Sequence, residues 1–190
     1  MKKEFVFLFV VLAFFAGFGA GVIYTVYHEE QPPPPVKAPP PSPTAAAIPE
    51  EIQKQIRSLQ AILKEDPKNL QALAELGNVF FDTEQFDKAI DAYSQALAID
   101  PRNPDVLTDR GIMYRRKGDF DRAIADFKRA AEVDPRHANS RYNLGVVLLH
   151  DKGDMKGAIA AWEDYVKVDP QGPRSENIRN QIDKMKSMVK

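Results

Sequence analysis

Cysteine is absent from the 190-residue chain. Its absence excludes disulfide bonds, thiolate metal sites, cysteine nucleophiles and cysteine-linked lipids, and it leaves the redox compartment open. An excess of charge of one sign is also missing, because 26 basic side chains stand against 27 acidic ones and the net charge is −1. A nucleic-acid-binding protein normally needs a clustered basic face to neutralise phosphates. We therefore expect no nucleic-acid partner.

Residue patterns for catalysis and metal binding are lacking as well. The three histidines, His28, His137 and His150, fall in different parts of the sequence and form no helical pair of metal ligands. No glycine-rich phosphate-binding loop is found, and the acidic residues fall where the solvated face of a helix needs them. We expect the protein not to be an enzyme and to need neither a cofactor nor a metal ion.

Residues 1–30 contain a run of 23 uncharged, mostly apolar residues, 5–27. As a helix this run would be roughly 35 Å long, which is sufficient to cross a hydrocarbon core of about 30 Å. Tyr24 and Tyr27 lie near its end, where tyrosine favours a membrane–water interface. The alternative is a cleaved signal peptide with residues 5–15 as its apolar core. We expect an uncleaved transmembrane anchor that contacts the lipid bilayer.

The flanks of the apolar run indicate its orientation. Lys2 and Lys3 precede it and acidic residues follow it, so the positive-inside rule predicts a cytoplasmic N-terminus with the rest of the chain outside. Small residues recur at every fourth position within the run, a spacing that allows two membrane helices to approach closely. These residues are Ala13, Gly17 and Gly21. They indicate either a homodimer contact or only the general abundance of glycine in membrane helices.

Proline dominates residues 31–49, where nine prolines occur. This density excludes helix and sheet ladders and favours polyproline II, at about 3.1 Å per residue. We interpret the segment as a linker that holds the following domain away from the bilayer. A ligand for a proline-recognition domain is the alternative.

An interval of about 34 residues recurs through the remainder of the chain. Four Asp-Pro pairs are spaced 34, 34 and 35 residues apart, and such a period is typical of helical repeat arrays. Each interval contains two apolar patterns of helical period, and the second pattern ends at the proline. The pairs are Asp66-Pro67, Asp100-Pro101, Asp134-Pro135 and Asp169-Pro170. The predicted units are residues 68–101, 102–135 and 136–170.

Matching residue types occupy matching positions in the three units. The positions are Leu73, Leu76, Gly77, Phe80, Ala89, Tyr93 and Ala96 in the first unit, Leu107, Gly111, Tyr114, Ala123, Phe127 and Ala130 in the second, and Leu144, Gly145, Leu148, Ala158 and Trp162 in the third. This pattern resembles the tetratricopeptide repeat family. The resemblance implies an all-α fold, a right-handed superhelical array of three helix pairs with flanking helices, here preceded by one transmembrane helix and a proline-rich linker.

Gly77, Gly111 and Gly145 fall in the middle of predicted helices, where glycine is less favourable than alanine by up to about 1 kcal/mol. We expect each glycine to permit close approach of the paired helix. The small residues expected opposite the glycines are Ala89, Ala123 and Ala158.

Three features depart from the family pattern. Arg110 stands where a leucine is usual, and Arg141 takes the large apolar position that opens the third unit. The third unit also has one extra residue near positions 150–153, which should bulge or lengthen that turn.

An apolar stripe marks each end of the array. Residues 50–67 carry one such stripe, and residues 171–190 carry the other. The stripe residues are Ile52, Ile56, Leu59, Ile62 and Leu63 in the first segment, and Ile178, Ile182, Met185 and Val189 in the second. Because a terminal repeat has no neighbour to cover its apolar face, we interpret both segments as capping helices. Amphipathic helices that bind a partner are the alternative.

The resemblance implies that the first helix of each unit lines a concave groove that binds a protein or peptide. The predicted groove residues are Asn78, Phe81, Asp105, Asp109, Ile112, Arg115, Asn139, Tyr142, Asn143, Val146 and Leu149. Their apolar members form a strip without an internal use in the helix pairs, and such strips usually mark a partner site. The alternative is that the C-terminal helix covers part of the strip.

Some members of the family clamp the C-terminal carboxylate of chaperones with lysine, arginine and asparagine side chains. The matching positions here are Ala74, Asn78, Asp109, Asn139 and Asn143. Only Asn78 fits, and Asp109 would repel a carboxylate, so the sequence does not predict this type of clamp.

The expected function is that of a membrane-anchored, non-enzymatic interaction scaffold. It would face the extracytoplasmic, periplasmic side of a bacterial inner membrane. The alternatives are a cytochrome c maturation factor that presents apocytochrome, and an assembly factor for a pilus, secretion or envelope complex.

Overall fold

The computed structural model describes residues 48–188. Within this range the chain forms eight α-helices and one short π-helix, so the predicted all-α helical array is confirmed there. None of these helices is long and apolar enough to cross a membrane. The elements are α1 (Glu50–Glu65), α2 (Leu70–Asp82), α3 (Phe86–Ile99), α4 (Pro104–Arg116), α5 (Phe120–Val133), α6 (Ala138–Val146), the π-helix (Val147–Asp151), α7 (Met155–Val168) and α8 (Ser175–Met188).

The predicted membrane anchor, residues 1–30, lies outside the described residues. The same is true of the small-residue pattern at Ala13, Gly17 and Gly21, and of nearly all of the predicted linker, residues 31–49.

Polar side chains begin most of the helices. Asn69, Asn103 and His137 precede α2, α4 and α6, and each side chain accepts a hydrogen bond from the backbone N–H three residues further on, at 3.0, 3.1 and 3.3 Å. Asp119 and Asp154 cap α5 and α7 in the same way. Such caps satisfy backbone donors that have no partner inside the helix, and each typically contributes about 1 kcal/mol.

The repeated aspartate of the Asp-Pro pairs organises the turn between units. The carboxylates of Asp66, Asp100 and Asp134 each accept a hydrogen bond from the backbone N–H two residues on, at 3.2, 3.0 and 2.8 Å. The backbone carbonyl of the same aspartate accepts the N–H of the next N-cap residue. The pair therefore ends one helix and positions the start of the next, because proline cannot continue the helix and aspartate closes the turn.

Each mid-helix glycine faces an aromatic ring of the paired helix. A Cβ built on Gly77, Gly111 or Gly145 would lie less than 3 Å from ring atoms of Tyr93, Phe127 or Trp162, respectively. The expectation of close helix approach is confirmed. The glycines also make room for large aromatic side chains that fill the core between the paired helices, while Ala89, Ala123 and Ala158 are fully buried on the second helices.

The extra residue of the third unit lies in the π-helix, Val147–Asp151. In the first two units, the residue before the second helix donates a backbone hydrogen bond to the carbonyl five residues earlier. These bonds run from Gln85 N–H to the Phe80 carbonyl and from Asp119 N–H to the Tyr114 carbonyl. The equivalent bond in the third unit, from Asp154 to Leu148, spans six residues. The predicted bulge is therefore confirmed, and it is accommodated as a wider helical turn rather than as a longer loop.

Both terminal helices pack their apolar stripes on the neighbouring unit. In α1, Leu59 is buried, and Ile52, Ile56 and Leu63 are partly buried against the core of the first two units. Ile62, which the sequence placed on the same stripe, is exposed. In α8, Ile178 and Ile182 are buried in one cluster with aromatic residues of α7. This is the arrangement that a repeat array needs at its ends, because it removes the exposed apolar face of the terminal unit.

The two arginines that depart from the family pattern have polar partners. Arg110 forms two hydrogen bonds of 2.8 Å to the carboxylate of Asp126 and a third of 3.1 Å to Ser94 Oγ. It therefore connects α4 with α3 and α5. Arg141 donates to the carbonyls of His137 and Ala131, at 3.0 and 3.4 Å. Both side chains replace apolar packing between neighbouring helices with hydrogen bonds.

Candidate partner-binding groove

The predicted groove residues of the first two units occupy one connected surface of α2 and α4. Asn78 and Asp105 are exposed, whereas Phe81, Asp109 and Ile112 are half-buried. Phe81 and Ile112 both pack at the edge of the core that these two units share. Each apolar side chain therefore rests on the core and still presents part of its surface to solvent.

A buried tyrosine holds the asparagine in this surface. The hydroxyl of Tyr93, on α3, donates a hydrogen bond of 2.7 Å to Asn78 Oδ1. Burial raises the pKa of Tyr93 well above its ordinary value, and the negative charges of Asp109 and Asp82 raise it further. Sequence reasoning assigned Tyr93 to the core alone and did not single out Asp82. Asp82 could have been predicted as a groove residue, because it follows Asn78 by one helical turn on the same face.

Asp109 is a half-buried carboxylate in the middle of this surface. The pKa of Asp109 is raised to about 6, mainly by burial and also by the charge of Asp105, while His137 acts in the opposite direction. Within residues 48–188, no ion pair involves Asp109. Its ionised form is therefore held in a partly desolvated place without a bound cation, which is an unfavourable arrangement for a carboxylate.

We expect Asp109→Asn to stabilise the fold at pH 7, by about 1–3 kcal/mol. The folded-state pKa of Asp109, about 6, lies above the 3.8 of an unperturbed aspartate, so the protonated form favours folding. That contribution is fully present below pH 3.8 and is lost as the pH rises through 6. Urea denaturation followed by circular dichroism should show a gain at pH 7 that disappears near pH 4.

The control for this prediction is Asp91→Asn, at an exposed position of α3. It should change the free energy of unfolding little at either pH. Destabilisation by Asp109→Asn at pH 7 would contradict burial as the dominant influence on this carboxylate.

A histidine connects the second and third units beside the groove. His137 Nε2 lies 3.0 Å from Asp105 Oδ1, and His137 Nδ1 accepts the N–H of Ser140 at 3.3 Å. In the neutral imidazole, these contacts place the hydrogen on Nε2. His137 was not among the predicted groove residues, although its place as the third N-cap follows from alignment with Asn69 and Asn103.

Arg115 has an internal partner in the structure. Its guanidinium forms an ion pair with Asp151, the last residue of the π-helix. Both side chains are half-buried. The predicted groove residue therefore joins the second unit to the third. Asp151 escaped prediction because its position depends on the extra residue in the third unit.

The apolar groove residues of the third unit are partly covered. Tyr142, Val146 and Leu149 are half-buried against the cluster formed by α7 and α8. The ring of Tyr142 meets the ring of Tyr165 edge to face, with centroids 5.8 Å apart, and the guanidinium carbon of Arg174 lies 4.8 Å from the centroid of Tyr142. The alternative considered from the sequence therefore applies to these three residues, and the strip does not continue in the open along the whole groove.

The remaining two groove residues of the third unit interact with each other. Asn143 Nδ2 donates a hydrogen bond of 2.9 Å to the backbone carbonyl of Asn139. The third unit thus supplies uncharged polar groups to the groove, in contrast to the acidic residues of the first two units.

A small cavity opens at the acidic part of the groove. It has a volume of about 200 Å³ and lies between α1 and α2. Its lining consists of Ile52, Gln55, Glu75, Asn78, Val79 and Asp82. A larger cleft of about 720 Å³ lies elsewhere, between α3 and α5 beside the Arg110–Asp126 pair. Among the described residues, no group of three or more histidine, aspartate or glutamate side chains could hold a metal ion.

Comparison with known proteins bears on the class of this array. Residues 108–174 match a family profile described as a tetratricopeptide repeat, and residues 77–114 match one described as a TPR repeat. The TPR domain of Sgt2 from Aspergillus fumigatus is 31% identical, with a TM-score of 0.57, over 63% of this chain and 78% of that domain. No curated protein sequence matches significantly.

Two further solved structures share the fold. MamA, known from a crystal structure, has 23% sequence identity to this chain and a TM-score of 0.63, and the match covers 71% of this chain and 84% of MamA. The first TPR of Spaghetti (RPAP3), bound to the HSP90 peptide SRMEEVD, is 23% identical with a TM-score of 0.58, over 65% of this chain and 95% of that one. The described part of the chain is thus a helical repeat array. The chain belongs to the tetratricopeptide repeat family, whose domains mediate protein–protein interactions.

Proposed function

We propose that this chain is a membrane-anchored, non-enzymatic scaffold that binds a protein or peptide along its first helices, on the extracytoplasmic side of a bacterial inner membrane. The observation that carries the binding role is the surface of α2 and α4. There, the half-buried Phe81 and Ile112 present part of their surface beside the exposed Asn78 and Asp105. Apolar surface of this kind usually marks an interaction site.

The nature of the bound segment follows from the groove and from one relative. The Spaghetti domain was solved with the HSP90 peptide SRMEEVD, which supports a peptide segment as the partner of the present groove. The acidic carboxyl end of that peptide does not suit this chain, because Asp109 stands at a position where the carboxylate clamps carry a side chain that binds the carboxylate. We therefore expect no measurable binding of SRMEEVD.

A site-specific photocrosslinker tests the groove. Crosslinking residues are introduced at Asn78 or Asp105 in the groove, and at Asp91 or Lys128 on the exposed second helices α3 and α5. Illumination of cells that express each variant should give discrete adducts from the groove positions only. Equal adducts from the second helices would show that the partner uses another face.

The membrane part of the proposal rests on residues 5–27 and on the flanking Lys2 and Lys3. A reporter that works only in the cytoplasm, fused after Lys190, should remain inactive, and the protein should stay in the membrane fraction with an intact N-terminus. An active reporter would reverse the orientation. A released chain that lacks its first 20 or so residues would replace the anchor by a signal peptide.

A further inference from the structure

The open part of the groove carries four carboxylates on two neighbouring units. Glu75 and Asp82 line the cavity of about 200 Å³ together with Asn78. The charges of Asp82 and Asp109 both act on the Tyr93 hydroxyl that binds Asn78. Asp105 in turn acts on Asp109. We call this surface the acidic end; it consists of Glu75, Asp82, Asp105 and Asp109.

Three cationic side chains on and beside α4 are already paired elsewhere, the first of them Arg110, which binds Asp126. Arg115 binds Asp151 of the π-helix, and Lys117, at the end of the helix, binds Asp87. Within residues 48–188, none of the four carboxylates of the acidic end forms an ion pair with a lysine or an arginine, and the partner of Asp105 is the imidazole of His137. The described lysine and arginine side chains therefore do not neutralise the negative charge of the acidic end.

Because Asp109 is half-buried, its unpaired negative charge favours the binding of a cation. A carboxylate that is partly removed from water is unfavourable without a counter-charge. It becomes a strong acceptor when a cation reaches it, because charge-assisted hydrogen bonds strengthen where water is excluded. Beside it, Phe81 and Ile112 offer apolar surface on which the aliphatic stem of a lysine or arginine can rest.

We propose that the acidic end receives a lysine or arginine side chain of the bound segment. Asp109 and Asp82 bind its cationic head beside the Tyr93–Asn78 hydrogen bond, and the stem lies on Ile112 and Phe81. The occupant is thus a basic segment of a partner protein, by charge complementarity with this surface. The inference rests on the proposed function, because it specifies which peptide the groove selects.

The test is a selection of random short peptides, displayed on phage, on the immobilised full chain. Wild-type protein should enrich peptides that contain lysine or arginine over those that contain aspartate or glutamate. The most enriched peptide is then synthesised with a fluorescent label. Its affinity, measured by fluorescence polarisation, should fall about tenfold in Asp109→Asn and in Asp82→Asn, as expected for the loss of one charged contact, and should stay unchanged in Asp91→Asn.

The Asp109→Asn variant distinguishes a loss of peptide affinity from a loss of folding. Because this variant is expected to be more stable than the wild type at pH 7, weaker binding by it cannot come from unfolding. The same peptide with its lysine replaced by norleucine should bind the wild type at least as weakly as the unmodified peptide binds Asp109→Asn, because it loses the contacts with both carboxylates.

The other outcomes distinguish the two proposals. Enriched peptides without a basic preference, or with a preference that survives both substitutions, would leave the groove as a binding site and overturn the inference about its partner. Failure of the wild type to enrich any peptide above a bare-surface control would overturn the proposed function, and the inference with it.

Discussion

Replacing Gly111 by leucine is expected to destabilise the array by at least about 3 kcal/mol, the upper part of the usual range for overpacking. A Cβ at this position would lie 2.7 Å from a ring carbon of Phe127. The phenylalanine has no exposed surface and cannot turn outward to make room. Thermal and urea denaturation of the full chain should show a large loss, which is a sizeable fraction of the 5–15 kcal/mol typical of a domain.

A matched leucine substitution controls for the general effect of adding a large apolar side chain. Ala125→Leu, at an exposed position of α5, should change the melting temperature little. Relief of the clash provides the second control, because Gly111→Ala combined with Phe127→Leu should be more stable than Gly111→Ala alone. An unchanged melting temperature for Gly111→Leu would mean that α4 and α5 do not approach each other as described.

Removing the carboxylate of Asp126 is expected to destabilise the fold by about 2–4 kcal/mol. Asp126 accepts two hydrogen bonds of 2.8 Å from Arg110. The side chains of Arg110 and Asp126 are only 20% and 8% exposed, so Asp126→Ala would leave a largely buried guanidinium without its counter-charge. Urea denaturation at pH 7 measures the loss.

The double variant Arg110→Leu with Asp126→Ala tests the mechanism. It should recover most of the stability, because an apolar side chain at position 110 needs no counter-charge. For comparison, loss of the exposed i,i+3 pair between Asp164 and Lys167 through Asp164→Ala should have little effect. If the double variant were as unstable as Asp126→Ala, the deficit would come from lost packing rather than from an unpaired charge.

The residues of the groove show how far sequence reasoning reached. It placed Asn78, Asp109 and Ile112 on the first helices, where the structure has them, because side chains four positions apart share a helix face. It also treated Tyr142 and Arg115 as open to a partner. In the structure, Tyr142 packs beside Tyr165, and Arg115 is bound to the π-helix.

The fold could be read from the sequence to a large extent because its determinants are local. The spacing of Asp-Pro pairs, the N-cap residues and the helical apolar periods all act within a few residues of each other. They predict the number and order of helices in the three units. The extra residue of the third unit was visible for the same reason, although its conversion into a π-helix was not.

The tertiary structure alone decided which distant groups meet. The aromatic rings opposite the glycines, the Arg110–Asp126 pair and the contact between Arg115 and Asp151 each join residues that are 15 or more positions apart. Such contacts depend on how far one helix is displaced and rotated against the next, and residue spacing within a helix does not contain that information. The charge on Asp109 illustrates the point: the sequence shows an aspartate on the groove face, but only the packing of its neighbours makes that carboxylate half-buried and without an ion pair in residues 48–188.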